Sequence, residues 1–200
     1  MPARKRNTYH HGDLRQAIIQ SALEILDAEG VDAVSIRAVA RRAGVSHSAP
    51  ANHFRDRRAL LTAVAAQLFR TLNESVERKM ARSGASARKR VQSLTRTLID
   101  LGLGQPNRYR LLWRRDLLDD SDDELQAEMD SFYNRLIDEL QSTGAELRFD
   151  RDTYAVALWS MVHGYVSLRL DGNLESRIDL RVSKKREDAI VEAFLDAFTN

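Results

Sequence analysis

Residues 35–54 read SIRAVARRAGVSHSAPANHF. Ser35 is a cap for a short helix, IRAVARRA, with Ile36, Val39 and Ala40 on one face and Arg37, Arg41 and Arg42 on the other. Gly44 closes that helix, as glycine does where the chain must turn left-handed. Ser46 is the next cap, opening a second short helix with almost nothing bulky until Phe54. Helix, glycine turn and second short helix make a helix-turn-helix. In that unit the second helix lies in the DNA major groove, its N-terminal side chains at the base edges. His47, Ser48 and Asn52 are the short hydrogen-bonding groups such a surface needs, and Val45, Ala49 and Phe54 suffice to pin the helix inward. Pro50 falls in the first turn, where its missing N–H removes one hydrogen bond and predicts a short, distorted start.

The flanks extend the pattern. Asp13 caps a helix whose apolar positions Leu14, Ile18, Ala22, Ile25 and Leu26 share a face, ending at Gly30. Asp56 caps a long helix through Leu60, Leu61, Val64, Leu68, Leu72 and Val76 to about Arg82. The net charge of +2 is unevenly spread. Residues 1–60 hold ten Lys/Arg against six acids, and the remainder 21 against 23. A basic head on a mildly acidic body points to a polyanion contact at the N-terminal end. Arg4, Lys5 and Arg6 form a basic arm, read either as a DNA contact or as a solubilising tail.

The other 140 residues continue as helix. SGAS (83–86) breaks the chain, and a helix through Val91, Leu94, Leu98 and Leu101 ends at GQP (104–106). Pro106 opens a short helix with Tyr109, Leu112 and Trp113. The acidic run DDSDDE (119–124) leads a helix through Leu125, Met129, Phe132, Leu136 and Leu140. Acids at a helix start are favoured by its dipole, so the run reads as structural and not as a metal site. Two more helices cover about 151–170 and 184–198. The pattern predicts an all-α chain of about nine helices with no strand, a three-helix head on a larger body.

The text HHGDLRQAIIQSALEILDAEGVDAVSIRAVARRAGVSHSAPANHFRDRRALL, from His10, resembles the N-terminal domain of TetR family transcriptional regulators over roughly residues 10–65. The resemblance implies a DNA-binding domain over 1–55 and a helical effector-binding and dimerisation domain over 56–200. It implies DNA contacts from Arg37, Ser46, His47, Ser48, Asn52, His53 and Arg57. One position departs: Ala51 stands where relatives usually carry an aromatic that touches the DNA backbone. WSMVHG (159–164) resembles the Trp-His-Gly signature of one class of TetR C-terminal domains, whose last two long helices pair with their mates. That implies a homodimer interface including Trp159, His163, Gly164, Val166, Leu170, Ile190, Phe194 and Phe198. Leu98, Tyr109, Leu112, Trp113, Phe132 and Trp159 are candidate linings of a pocket for an unidentified small-molecule effector, although residues at helical spacing are more often plain core. His163 reads as a core or interface histidine, a ligand contact, or a catalytic group.

A transcriptional regulator, more often a repressor, is the leading expectation, with double-stranded operator DNA as partner. A dimeric ligand-binding protein with weakened DNA binding is the alternative. An enzyme needs a nucleophile–base pair, a metal cluster or a phosphate loop, and the sequence offers none at the right spacing. No cofactor is implied, and His10 and His11 lack the partners of a metal site. There is no cysteine, which suits a reducing cytoplasm. The longest apolar run, Ala155 to Leu168, is too short to span a membrane, and the basic N-terminus is followed by no apolar segment of a secretory signal.

Overall fold

The computed structural model describes residues 11–81, 86–144 and 148–199, with side chains from Leu14 to Ala197 outside the two gaps. The basic arm, the side chains of His11 and Asp13, and most of the SGAS break lie outside the described residues. So does the side chain of Phe198. Helix α1 (His11–Glu29) buries Ile18, Ile19, Ala22, Leu23, Ile25 and Leu26. Gly30 ends it at φ 83°, and a 3-10 turn over Val31–Ala33 follows. In α2 (Ile36–Ala43) the Ser35 hydroxyl accepts from the Ala38 N–H at 3.2 Å. Gly44, at φ 68°, donates its N–H to the carbonyls of Ala40 and Arg41. Both caps lie where the sequence places them.

The segment after Gly44 differs from a regular helix. Ala49, Ala51, Asn52 and His53 each donate to the carbonyl three residues back, and a 3-10 turn spans Pro50–Asn52. The cause is Pro50, which has no N–H to close an α-type bond onto Ser46. Ser46 is not a side-chain cap: its Oγ lies 3.2 Å from Ser48 Oγ, and its carbonyl takes the Ala49 N–H. Pro50 itself is buried. Eight α-helices are present among the described residues, with this tight turn in place of the expected ninth.

The remaining helices are α3 (Arg57–Ala81), α4 (Ala87–Gly104), α5 (Pro106–Leu112), α6 (Asp123–Ser142), α7 (Arg151–Leu170) and α8 (Arg186–Thr199). Asp56 caps α3 through the Ala59 N–H at 2.8 Å, and Asp122 caps α6 through the Leu125 N–H at 2.9 Å. The acidic run therefore does helix-capping work. Helix α4 is central, touching α3, α5, α6, α7 and α8. It passes close to α7 at Gly102, where a Cβ would come within 2.4 Å of Val166 Cγ1. One apolar core runs unbroken from Ile18 in α1 to Leu195 in α8. Against expectation there are strands, β1 (Ile178–Asp179) and β2 (Lys184–Lys185), paired as a minimal antiparallel hairpin between α7 and α8. Two residues per strand leave no alternating pattern long enough to read.

Candidate nucleic-acid interface

The outward face of the helix-turn-helix is built from α2 and the turn behind it. Arg37 and Arg41 are exposed on α2. Ser46, His47, Ser48, Ala51 and Asn52 are exposed on the turn, and His53 is half-buried. The turn therefore presents two hydroxyls, an imidazole and a carboxamide to solvent, groups able to donate to or accept from base edges and phosphates. Beneath them Pro50 and Phe54 fill the space against the head. Arg42 is drawn away toward Glu24 at 3.4 Å and Glu29 at 3.9 Å. Arg57, expected at the DNA backbone, turns inward instead. Its Nε donates to the Val34 carbonyl at 2.7 Å and its Nη2 to the Val31 carbonyl at 2.6 Å. It clamps the 3-10 turn between α1 and α2, adding a second donor to the Val31 carbonyl, which already accepts the Val34 N–H, and one to the Val34 carbonyl.

Charged contacts fasten this head to the body. The Arg15 guanidinium lies 5.6 Å from the Phe54 ring centre and donates to Glu124 at 3.0 Å. Glu124 also accepts from Arg70 at 2.7 Å, and these partners hold its carboxyl below the usual range. Arg108 of α5 grips Asp27 of α1 with two bonds of 2.7 Å, and Asn107 donates to the Asp27 carbonyl at 3.2 Å. Both α5 and α6 are thus tied to α1 by charged pairs.

Of the expected pocket residues, Leu98, Leu112 and Phe132 are buried core. Tyr109 and Trp113 pack ring to ring with His163, and Trp159 packs on Trp113. Trp113 lies 5.1 Å from Trp159, 5.5 Å from Tyr109 and 5.5 Å from His163. The Tyr109 hydroxyl is 2.9 Å from His163 Nδ1, and burial pushes the phenol up to about 12. Trp113 Nε1 is buried with no hydrogen-bond partner among the described residues. Phe69 and Tyr133 extend the cluster and escaped the sequence reading. The available signal was spacing: 109/113 and 159/163 are both i,i+4 pairs, each presenting two rings on one helix face.

The apolar face left open on α7 comprises Val156, Ala157, Ser160, Gly164, Ser167 and Leu168. Of the expected interface residues on α7, Gly164 lies on it, with open space around its Cα. Val166 does not, because it is fully buried against Gly102 of the same chain. Trp159 and His163 turn toward Tyr109 and Trp113, and Leu170 is packed on the core. On α8, Ile190 and Phe194 are half-buried beside exposed Ala193 and Ala197.

The family model for bacterial regulatory proteins of the tetR family matches residues 18–64, and that for the tetracyclin repressor-like C-terminal domain matches residues 91–198. The chain is 36% identical over 67 residues to the HTH-type transcriptional regulator BetI of Yersinia pestis, a match covering 34% of each chain. It therefore spans about a third of the length of such relatives. Among solved structures, a protein of unknown function from Rhodococcus sp. RHA1 superposes with a TM-score of 0.78 at 28% identity, covering 98% of this chain and 100% of the other. A TetR family transcription regulator from Marinobacter aquaeolei VT8 gives 0.68 at 17% identity over 94% and 96%. The regulator FadR of Bacillus subtilis, in complex with stearoyl-CoA, gives 0.67 at 14% identity over 92% and 97%. The last two likenesses speak to the fold.

Proposed function

The chain belongs to the TetR family of bacterial regulatory proteins, and from that premise we propose that this DNA-binding regulator is a cytoplasmic repressor released from a palindromic operator by a small-molecule effector. The observation that carries the reading is the exposed turn Ser46–Asn52 behind a helix capped at both ends, with Arg37 and Arg41 beside it. Arg37, Ser46, His47, Ser48, Asn52 and His53 are assigned to DNA, and Arg57 to holding the head in shape. The head is residues 1–55 and the body 56–200. Two copies pair through α7 and α8 in the Trp-His-Gly manner, with Gly164, Ile190 and Phe194 at the contact. A dimer of this kind reads two half-sites about 34–36 Å apart, or a multiple.

The aromatic cluster is the reading's effector site. An apolar molecule with one acceptor would separate the rings and satisfy Trp113 Nε1. Displaced α5 would pull on Asp27 through Arg108, and the half-site spacing would be lost. The reading assigns no catalytic step and no cofactor. Among the described residues, no helix is long and apolar enough to cross a membrane.

A second reading, a ligand-binding dimer with weakened DNA binding, is favoured by Ala51 and by the inward Arg57. One titration separates them. Folded protein is mixed at low salt with fragments covering the region upstream of its own gene, and binding is followed by gel shift. Saturable retardation of one fragment is expected, and no retardation of any fragment overturns the repressor reading in favour of the second.

A further inference from the structure

Exposed large apolar side chains sit at the two ends of α7. Phe149 and Val156 lie at its N-terminal end. Leu168, Leu174, Ile178, Leu180 and Val182 lie at or beyond its C-terminal end, the last four in the segment 174–185 that forms the hairpin. Leu180 is 92% exposed. Helix α7 has 20 residues, about 30 Å of length, so within one chain neither group can cover the other. The hairpin, with two-residue strands, is short for independent stability and touches α8 through both strands.

Beside Phe149 a groove of about 730 Å³ runs between α6 and the start of α7. Tyr133 and Ile137 line it, with Asp150 and Asp152 against Arg151. The hairpin segment 174–185 carries Arg177, Arg181, Lys184 and Lys185 against Glu175 and Asp179. Aliphatic groups and net positive charge at one end of α7 are thus matched at the other end by a groove of mixed lining, where Asn134 and Gln141 join Tyr133, Ile137 and Phe149 and the two aspartates outnumber Arg151 by one. A two-fold axis across the middle of α7 would set the helix antiparallel to its mate and bring each hairpin to the partner's groove. The contact occurs twice and closes, leaving no free copy of either surface.

We propose that the hairpin 174–185 docks in the α6–α7 groove of a second copy, an arm exchanged both ways beside the α7–α8 pairing. The proposal rests on the dimer reading above. It accounts for the exposed apolar groups at both ends of α7 with one partner, this chain itself.

The chain has no cysteine, so introduced thiols report without background. The mass of the unaltered protein is first measured by light scattering at micromolar concentration. Leu180→Cys and Phe149→Cys single variants are then mixed, allowed to exchange subunits, and oxidised. A dimeric mass, and a covalent dimer in the mixture that neither variant forms alone, is the expected result. A dimeric mass without that cross-link overturns the arm and leaves the α7–α8 dimer standing. Self-linking of Leu180→Cys also overturns it, by placing the hairpin on the two-fold axis. A monomeric mass removes the dimer reading and the arm together. Leu180→Asp, at a site far from the core, should weaken the dimer about tenfold or more if the side chain is an anchor.

Discussion

Between Ser46 and His53 the backbone closes mostly three-residue hydrogen bonds and most side chains face water. Tyr109, Trp159 and His163 each lie within 6 Å of Trp113, the residue that ends α5, and most of the surface of these four rings is removed from solvent. The turn has few internal contacts to lose, so its outward groups are free to meet a partner. The cluster is where contacts are concentrated, so its groups hold the body together until something displaces them. In the proposed function, recognition and stability are thereby placed in different parts of the chain, joined by the Arg108–Asp27 and Arg15–Glu124 pairs.

The hardest test of this division is Trp113→Ala. Removing a packed indole that bridges Phe69, Tyr109, Trp159 and His163 should lower unfolding free energy by about 3 kcal/mol. Urea unfolding followed by circular dichroism measures it. A loss under about 1 kcal/mol would show that the cluster is not a stabilising unit and would erase the contrast with the turn.

A pH series probes the same cluster more gently. The Tyr109 phenol is pushed up from 10 to about 12 by burial. Between those values the unfolded chain releases this proton and the folded chain keeps it. Stability from this group is therefore complete below pH 10 and is lost as pH rises toward 12, by on the order of 2 kcal/mol. Tyr133, also raised to about 12 by burial and by Asp152, adds a second group in the same window. Unfolding measured from pH 9 to 11.5 should fall less steeply for Tyr109→Phe than for the unaltered protein. Equal slopes would mean that Tyr109 is not held neutral by its surroundings.

The two regions also differ in how far the sequence foretells them. Ser35, Gly44 and Asp56 act within a few residues of themselves, and all three cap as their positions suggest. The outward set Ser46, His47, Ser48 and Asn52 follows from the same local logic. Local logic fails where a distant partner decides. Arg57 looks like a phosphate ligand until the carbonyls of Val31 and Val34 are seen beside it. Val166 looks like an interface residue until Gly102 is found to leave room for it. The side of α7 that is open could be read only once α4 and α6 were known to occupy the other side.

On the turn itself, Asn52→Ala should leave stability within about 0.5 kcal/mol. A carboxamide paired to a base edge should weaken operator binding by about 1–3 kcal/mol. The loss should be concentrated at one base-pair position when operator variants are compared by fluorescence anisotropy. A uniform loss across all sequences would instead assign Asn52 to the phosphate backbone.

The smallest effect expected is a gain. Ala51 is exposed on the turn, bracketed by the buried Pro50 and the exposed Asn52. A tyrosine there meets no packed neighbour, so Ala51→Tyr should fold normally. Its hydroxyl could donate one hydrogen bond to a phosphate oxygen, worth about 0.5–1.5 kcal/mol, or about two- to twelve-fold in affinity. The gain should be the same for specific and unrelated DNA, since phosphates carry no sequence. A neutral phenol displaces no counterion, so the slope of log affinity against log salt should stay unchanged. A gain confined to the operator would place residue 51 at a base edge. An absent gain would place it away from the duplex, and the turn would then approach DNA through Ser46, His47 and Ser48 on its other side.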